Sequence, residues 1–256
     1  MNHHNAQVDP IFKRGPNQGA VLLLHGFTGS PDSVRSLANH INGLGFTVSA
    51  PLLAGHGTTK EALAQTGWPD WYDTALRAFL ELKERHNHIA VAGLSLGSLL
   101  GLKLAQDYPQ ALHALGCLAT PLFLQTWARL LLPVLANTSL GHFYPYQKKY
   151  AIDVKDPQAK VNYWNVEEMP ISCVYSVQKL QAIVRRDLVK VMAPVLLLHS
   201  RYDSTAPYES MGEVARRVTS KTTETITLEN CYHLITMDYE KDIVAQRIGQ
   251  FFVRFL

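Results

Sequence analysis

The chain has 256 residues, of which 47% are hydrophobic and 18% charged, and its formal net charge is +3. This length is enough to bury a large core in one domain, and this composition excludes disordered and fibrous proteins. Basic residues are scattered, and no basic run such as Lys148-Lys149 extends past two residues. We therefore expect no nucleic-acid partner.

The cysteines, the first residues and the longest apolar runs bear on the compartment. The chain has 3 cysteines without a C-x-x-C pair, which predicts neither a disulfide framework nor a zinc site. Residues 1–20 are polar and lack the apolar core of a signal peptide. No apolar stretch reaches the roughly 18 residues of a membrane span. We expect a cytoplasmic protein without stable membrane insertion, whose oligomeric state the sequence does not predict.

Short apolar runs alternate with longer segments of helical spacing, which is typical of β-α units around a parallel sheet. The predicted strands are Ala20–Leu24, Phe46–Ala50, Ile89–Ala92, Ala114–Leu118, Val195–His199 and Thr225–Leu228. The predicted helices are Pro31–Leu44, Trp71–His86, Leu96–Asp107, Tyr208–Val218 and Tyr239–Phe255. The pattern predicts an α/β fold, with a mostly parallel central sheet covered by helices on both faces.

One segment interrupts this pattern between Ala119 and Pro194, because it is longer than a single crossover helix needs. We predict one domain over residues 1–256, with a small inserted cap or lid at about 121–190. Trp127 and Leu131 belong to an apolar stripe at helical spacing in this segment. Such a stripe usually serves packing, so these two residues are substrate-binding candidates only if the site lies beneath the cap.

Gly93-Leu94-Ser95-Leu96-Gly97 matches the G-x-S-x-G pattern, in which a sharp strand-to-helix turn exposes a nucleophilic serine. The segment directly follows the predicted strand Ile89–Ala92 and directly precedes a predicted helix. Glycines are needed on both sides of the serine because side chains there would collide with neighbouring backbone. Ser95 is therefore the candidate nucleophile, and the alternative is a glycine-rich helix entry with a capping serine.

A serine hydroxyl needs a base, and the base needs an acid that holds it in the right tautomer. In this fold the acid and then the histidine follow the serine along the chain, each after a strand. Asp203 follows Val195–His199, and His233 follows Thr225–Leu228. Both lie at carboxyl ends of predicted parallel strands, where α/β sheets place their sites.

Other titratable residues compete for these roles. His25 and His56 lie outside the order expected of the base, and we expect His25 to brace its loop. Glu229 and Asp238 are the alternative acids, although they lie on the same loop or helix start as the base. His3-His4 and the pair His86 and His88 lack an H-E-x-x-H motif or a carboxylate at metal-binding spacing, so we expect no metal site.

Two backbone N–H groups must face the negative oxygen of a tetrahedral intermediate, and losing one costs about 2.7–4 kcal/mol of transition-state stabilisation. Leu96 supplies one by its position after the serine. The other should come from the glycine-containing loop after the first central strand, in which we select Phe27.

The chain resembles the bacterial carboxylesterase and monoacylglycerol-lipase branch of the α/β-hydrolases in five segments that follow one another in the same order. They are His25-Gly26-Phe27-Thr28-Gly29, Ala54-Gly55-His56-Gly57, Gly67-Trp68-Pro69-Asp70-Trp71, Val91-Ala92-Gly93-Leu94-Ser95-Leu96-Gly97 and His233-Leu234-Ile235-Thr236. The resemblance implies hydrolysis of small carboxylic esters with an apolar acyl group, a small lid and no cofactor.

Position by position, the resemblance assigns Ser95, Asp203 and His233 to a catalytic triad, and Phe27 and Leu96 to the oxyanion hole. This chain departs from the family at Cys231-Tyr232, before the histidine, and in the cap segment, which does not align by motif. The acyl chain length is therefore not predicted.

Three other functions stay open at this point. Thioester and carbon–carbon bond hydrolysis use the same triad, and a non-catalytic ligand-binding member of the fold remains a further alternative. Dehalogenases and epoxide hydrolases would carry Asp at the position of Ser95, which disfavours both.

Overall fold

The core of the chain is a seven-stranded sheet, in a computed structural model that describes residues 8–123, 145–148 and 152–256. The strands are β1 (Ile11–Lys13), β2 (Gly19–Leu24), β3 (Thr47–Ala50), β4 (His88–Leu94), β5 (Ala114–Leu118), β6 (Tyr146–Lys148), β7 (Glu168–Pro170), β8 (Val195–Ser200) and β9 (Thr223–Leu228). The large sheet has the order β1-β3-β2-β4-β5-β8-β9. Its strands are parallel except for β1, and β6 pairs with β7 in a separate antiparallel ribbon.

Helices connect the strands and cover the sheet. They are α1 (Arg35–Gly43), α2 (Lys60–Ala64), α3 (Trp68–Lys83), α4 (Leu96–Asp107), α5 (Pro157–Asn162), α6 (Ile171–Arg186), α7 (Glu209–Arg217) and α8 (Lys241–Val253). Short 3-10 helices are formed by Pro31–Val34 and Leu188–Lys190. Among the described residues, we find no helix with both the length and the apolar character that crossing a membrane requires.

Two apolar layers form the core, one on each face of the sheet. Side chains of α3, α4, α6 and α7 pack on one face, and those of α1 and α8 pack on the other. Strands β2, β5 and β8 are buried along their whole length, as expected for parallel strands between helices. The predicted α/β fold with helices on both faces is confirmed.

The predicted strands and helices are all present, with small shifts at their ends. The predicted helix Pro31–Leu44 begins as a 3-10 turn and becomes α-helical at Arg35. Strand β1 and helix α2 were not predicted, because 3 and 5 residues are too few to show a period.

Helix α6 lies in the segment predicted as a cap, yet it packs on the body of the molecule. It contributes Cys173, Val177, Leu180 and Val184 to the same apolar layer as α3 and α4. The predicted substrate-binding residues Trp127 and Leu131 lie outside the described residues.

The order of the strands fixes where a ligand can bind. From β2 the chain adds β3 on one side and then continues with β4 on the other. Loops that leave β2 and β4 at their carboxyl ends therefore diverge and leave a crevice, which is where open α/β sheets bind their ligands.

Candidate active site

Ser95 lies at this crevice, between the end of β4 and the start of α4. Its backbone is strained, with φ 54° and ψ −116°, a conformation that residues other than glycine rarely adopt. The Ser95 N–H donates to the Leu118 carbonyl at 2.8 Å, and the Ser98 hydroxyl donates to the Ser95 carbonyl at 2.6 Å. These bonds hold the turn in place, so the hydroxyl projects from a rigid corner.

The glycines on either side of Ser95 are needed for steric reasons, as predicted. A Cβ atom at Gly93 would lie 2.1 Å from the carbonyl of Gly97. A Cβ atom at Gly97 would lie 2.1 Å from the carbonyl oxygen of Leu24. Since both obstacles are backbone, neither can yield without moving a strand or a helix.

The three predicted triad side chains form one hydrogen-bonded chain. His233 Nε2 lies 2.9 Å from Ser95 Oγ, and His233 Nδ1 lies 2.7 Å from Asp203 Oδ2. The side chain of Asp203 is fully buried, and Ser95 and His233 are 9% and 6% exposed. The arrangement is suited to removing a proton from the serine, because each group contacts the next within hydrogen-bonding distance.

The surroundings of Asp203 favour its charged form. Its Oδ1 accepts the backbone N–H groups of Thr205 at 2.9 Å and Ala206 at 2.7 Å. Its Oδ2 contacts both His233 and His199. Burial alone would raise the pKa of this carboxyl, but the nearby His233 and His199 outweigh burial and hold the pKa well below its usual range.

The predicted oxyanion donors follow the two strands that flank the crevice, β4 and β2. Leu96 is the first residue of α4, and Phe27 lies in the loop after β2. Within the residues that the structure describes, neither backbone N–H donates a hydrogen bond. Both amides are therefore available to a ligand.

His25 fixes the peptide that carries the Phe27 amide. Its Nε2 accepts the Leu53 N–H at 3.0 Å, so its Nδ1 carries the proton and donates to the Gly26 carbonyl at 2.9 Å. The Gly29 N–H donates to the same carbonyl at 3.2 Å. Two donors on this oxygen hold the peptide plane, and the Phe27 N–H on the opposite edge is fixed with it.

His25 is a brace that stays neutral. It is fully buried, and burial together with His56 lowers its pKa to about 3. The rings of His56, Phe27 and Trp71 pack against one another with centroids 5.6–6.0 Å apart, and His25 contacts His56 at 5.2 Å. This aromatic cluster supports the loop beneath the proposed oxyanion hole.

A short segment, residues 152–156, connects the loops that carry Asp203 and His233, and we call it the strap. Asp153 Oδ2 accepts from the Ser204 N–H at 3.1 Å, the Ser204 hydroxyl at 2.9 Å and the Thr205 hydroxyl at 2.8 Å. The Asp153 carbonyl accepts the Leu234 N–H at 3.1 Å. One residue thus holds the neighbours of both Asp203 and His233.

Asp238, one of the alternative acids, fastens the other half of the strap. Its buried carboxylate accepts the N–H groups of Lys155 at 2.7 Å, Asp156 at 3.0 Å and Tyr232 at 2.8 Å. The other alternative, Glu229, forms an exposed ion pair with Arg201 at 3.0 Å. Asp203, by contrast, is bonded to His233.

Sequence reasoning missed His199 and the strap. His199 ends an apolar run that predicts only a covered strand, whereas the structure places its side chain against Asp203. Asp153 contacts residues 51 and 52 positions further along the chain, and no local pattern indicates such a pairing.

Comparison with known proteins gives a consistent result. The family model described as "Serine aminopeptidase, S33" matches residues 15–240. The chain is 31% identical to the thermostable monoacylglycerol lipase of Bacillus sp. strain H-257 over 236 residues, which are 91% of this chain and 90% of that protein. It is also 31% identical to a carboxylesterase of Bacillus subtilis strain 168 over 242 residues, 94% of each chain.

Solved structures agree in fold. A metagenome-derived lipolytic enzyme from a study of LipS and LipT superimposes with a TM-score of 0.88 at 27% identity, over 96% of this chain and 98% of that one. The monoacylglycerol lipase of Paleococcus ferrophilus superimposes with a TM-score of 0.82 at 19% identity, over 98% and 100% of the two chains, and at that identity shows the fold alone.

Proposed function

The chain belongs to the serine aminopeptidase S33 family of α/β-hydrolases, and we propose that it hydrolyses carboxylic esters through an acyl-enzyme on Ser95. Its substrates are small esters with an apolar acyl group, namely short- to medium-chain acyl esters or monoacylglycerols. The observation that carries this proposal is the bonded chain of Ser95, His233 and Asp203 beside two amides without a partner among the described residues.

In the first step, Ser95 Oγ attacks the ester carbonyl carbon while His233 Nε2 takes the hydroxyl proton. The carbonyl oxygen becomes negative, and the amides of Phe27 and Leu96 donate to it. The tetrahedral intermediate then collapses, the bond to the alkoxy oxygen breaks, and His233 gives its proton to the departing alcohol. Asp203 stays ionised and holds the imidazole in place.

In the second step, water replaces the serine. His233 takes a proton from the water, the resulting hydroxide attacks the acyl carbon, and the Ser95 oxygen leaves with the proton from His233. The products are the carboxylic acid and the alcohol, and the enzyme returns to its starting state. No cofactor is needed in either step.

The first experiment is hydrolysis of p-nitrophenyl esters from acetate to long acyl chains. Ser95→Ala should lower kcat by at least about 10⁴-fold, because it removes the nucleophile. Ser98→Ala is the matched control, since it removes a nearby serine that bonds only the backbone of the turn, and it should retain kcat within about tenfold. If the wild-type protein cleaves matched thioesters but no ester, the proposed function becomes thioester hydrolysis.

We also propose that the cap covers the acyl site and ends before α6, at about residue 170, because α6 packs on the body of the molecule. If Trp127 lines the acyl pocket, Trp127→Ala should change the preferred chain length and leave acetate hydrolysis within about twofold. The ester series measures this directly. An equal loss on every ester would assign the residue to packing.

The proposed location is the cytoplasm. The three cysteines, Cys117, Cys173 and Cys231, are free and buried, which supports a reducing compartment.

A further inference from the structure

His199 contacts the acid of the proposed triad and has no part in the mechanism above. It lies in β8, its side chain is 1% exposed, and its Nε2 is 3.2 Å from Asp203 Oδ2. His233 Nδ1 contacts the same oxygen at 2.7 Å. One carboxylate oxygen therefore faces two imidazoles.

The surroundings of Nε2 determine which nitrogen of His199 carries a proton. Besides Asp203 Oδ2, this nitrogen lies 3.2 Å from the backbone carbonyl oxygen of Ala206. An ionised carboxylate and a carbonyl are acceptors only. Nε2 must therefore hold a hydrogen, and His199 is a donor whether its ring is neutral or cationic.

The His199 ring is held in this orientation by its neighbours. Tyr208 packs against it edge to face, with ring centroids 5.9 Å apart, and the Tyr208 hydroxyl is hydrogen-bonded to Thr227. Arg201 stacks on the Tyr208 ring at 5.2 Å. His233 lies across Asp203 Oδ2 from His199. The neighbour of His199 in β9 is Thr227, which does not titrate.

We propose that His199 is a positioning residue that holds Asp203 by Oδ2 and, by sharing this oxygen, weakens the pull of Asp203 on the proton of His233. The proposal rests on the triad of the proposed function. Donors on one oxygen divide its negative charge, so a second donor leaves less for the first. His233 then loses its proton at a lower pH than it would without His199, and the base works in more acidic solution.

His199→Leu and His199→Gln form a matched pair, because the first removes the donor and the second keeps an N–H close to the position of Nε2. The readout is the pH dependence of the rate at which a fluorophosphonate labels Ser95, a reaction in which Oγ displaces fluoride and needs the same base. His199→Leu should move the acidic limb of this profile to higher pH by about half a unit or more. His199→Gln should restore the wild-type limb.

Each outcome is decisive for one of the two proposals. If the acidic limb of the pH profile is unchanged in His199→Leu, or shifts equally in both variants, His199 serves packing only. Wild-type protein that is not labelled at all would overturn the proposed function instead.

A second measurement needs neither activity nor the leucine variant. In wild-type protein with ¹⁵N-labelled histidine, the His199 resonances are assigned by their loss in His199→Gln. At neutral pH the Nε2 nitrogen of His199 should carry the proton. A His199 protonated only on Nδ1 contradicts the proposal, whatever the protein hydrolyses.

Discussion

At the scale of single residues, glycine leaves the space that the backbone around Ser95 needs. Gly97 and Gly101 lie in the same helix, α4, and differ in what surrounds them. A Cβ atom at Gly97 would lie 2.1 Å from the Leu24 carbonyl oxygen, whereas one at Gly101 would lie 3.1 Å from a side-chain methyl group of Leu115. Backbone in a central strand cannot yield, but the end of a leucine side chain can rotate.

Gly97→Ala should therefore displace α4 from β2, cost about 3 kcal/mol of unfolding free energy and lower kcat/KM by at least about 100-fold. Gly101→Ala, in the same helix, should cost less than about 1 kcal/mol and keep kcat/KM within about threefold. Urea unfolding and ester hydrolysis measure both. Equal effects of the two substitutions would mean that clearance at the turn is not what requires glycine.

At the scale of elements, the strap determines how the loops that carry Asp203 and His233 are held together. It is an irregular segment, but Asp153 and Asp238 provide its hydrogen bonds, and these bonds end on the neighbours of Asp203 and His233. A displacement of the strap would therefore reach the neighbours of both Asp203 and His233.

Asp153→Ala should lower kcat/KM by about tenfold for every ester in the series. The reason is that three hydrogen bonds from Ser204 and Thr205, next to Asp203, lose their acceptor. Asp156→Ala is the control in the same segment: it removes only the cap of α5, where Asp156 accepts the Gln158 N–H at 2.9 Å. It should cost about 1 kcal/mol of unfolding free energy and leave kcat/KM within about twofold. A loss with Asp153→Ala that depends on acyl length would assign Asp153 to substrate binding instead.

At the scale of the whole molecule, the buried neutral His25 makes stability depend on pH. Its pKa in the folded chain is about 3, whereas an unfolded histidine has a pKa of about 6.5. Between these values the unfolded chain binds a proton that the folded chain does not, so stability rises with pH. The contribution is complete above pH ~6.5 and declines as the pH falls toward 3.

His25 should therefore account for about 1.4 kcal/mol of the unfolding free energy lost between pH 7.5 and pH 5.5. His25→Asn keeps a donor for the Gly26 carbonyl but does not titrate, so this part of the loss should disappear. His86→Asn, which removes a histidine whose ring is bonded to the Gln18 carbonyl, should keep it. Urea titrations at both pH values test the difference between the variants, and an equal pH dependence in both would contradict the assignment.

The sequence predicted the parts of the site that depend on position along a strand. Ser95, Asp203 and His233 each follow the end of a strand with a clear apolar pattern, and the structure brings their side chains together. His199 and Asp153 could not be predicted, because their roles depend on side chains that meet only after β8, β9 and the strap have packed.

The long connection between β5 and β8 has a consequence for the order of folding. The segment predicted as a cap lies between β5 and β8, which are direct neighbours in the sheet, and His233 is 138 positions from Ser95, which it contacts. Pairing β5 with β8 closes a long loop, and contacts of such separation form slowly. During synthesis the turn around Ser95 is complete long before His233 has been made, so the hydrogen-bonded chain of Ser95, His233 and Asp203 forms as one of the last events of folding.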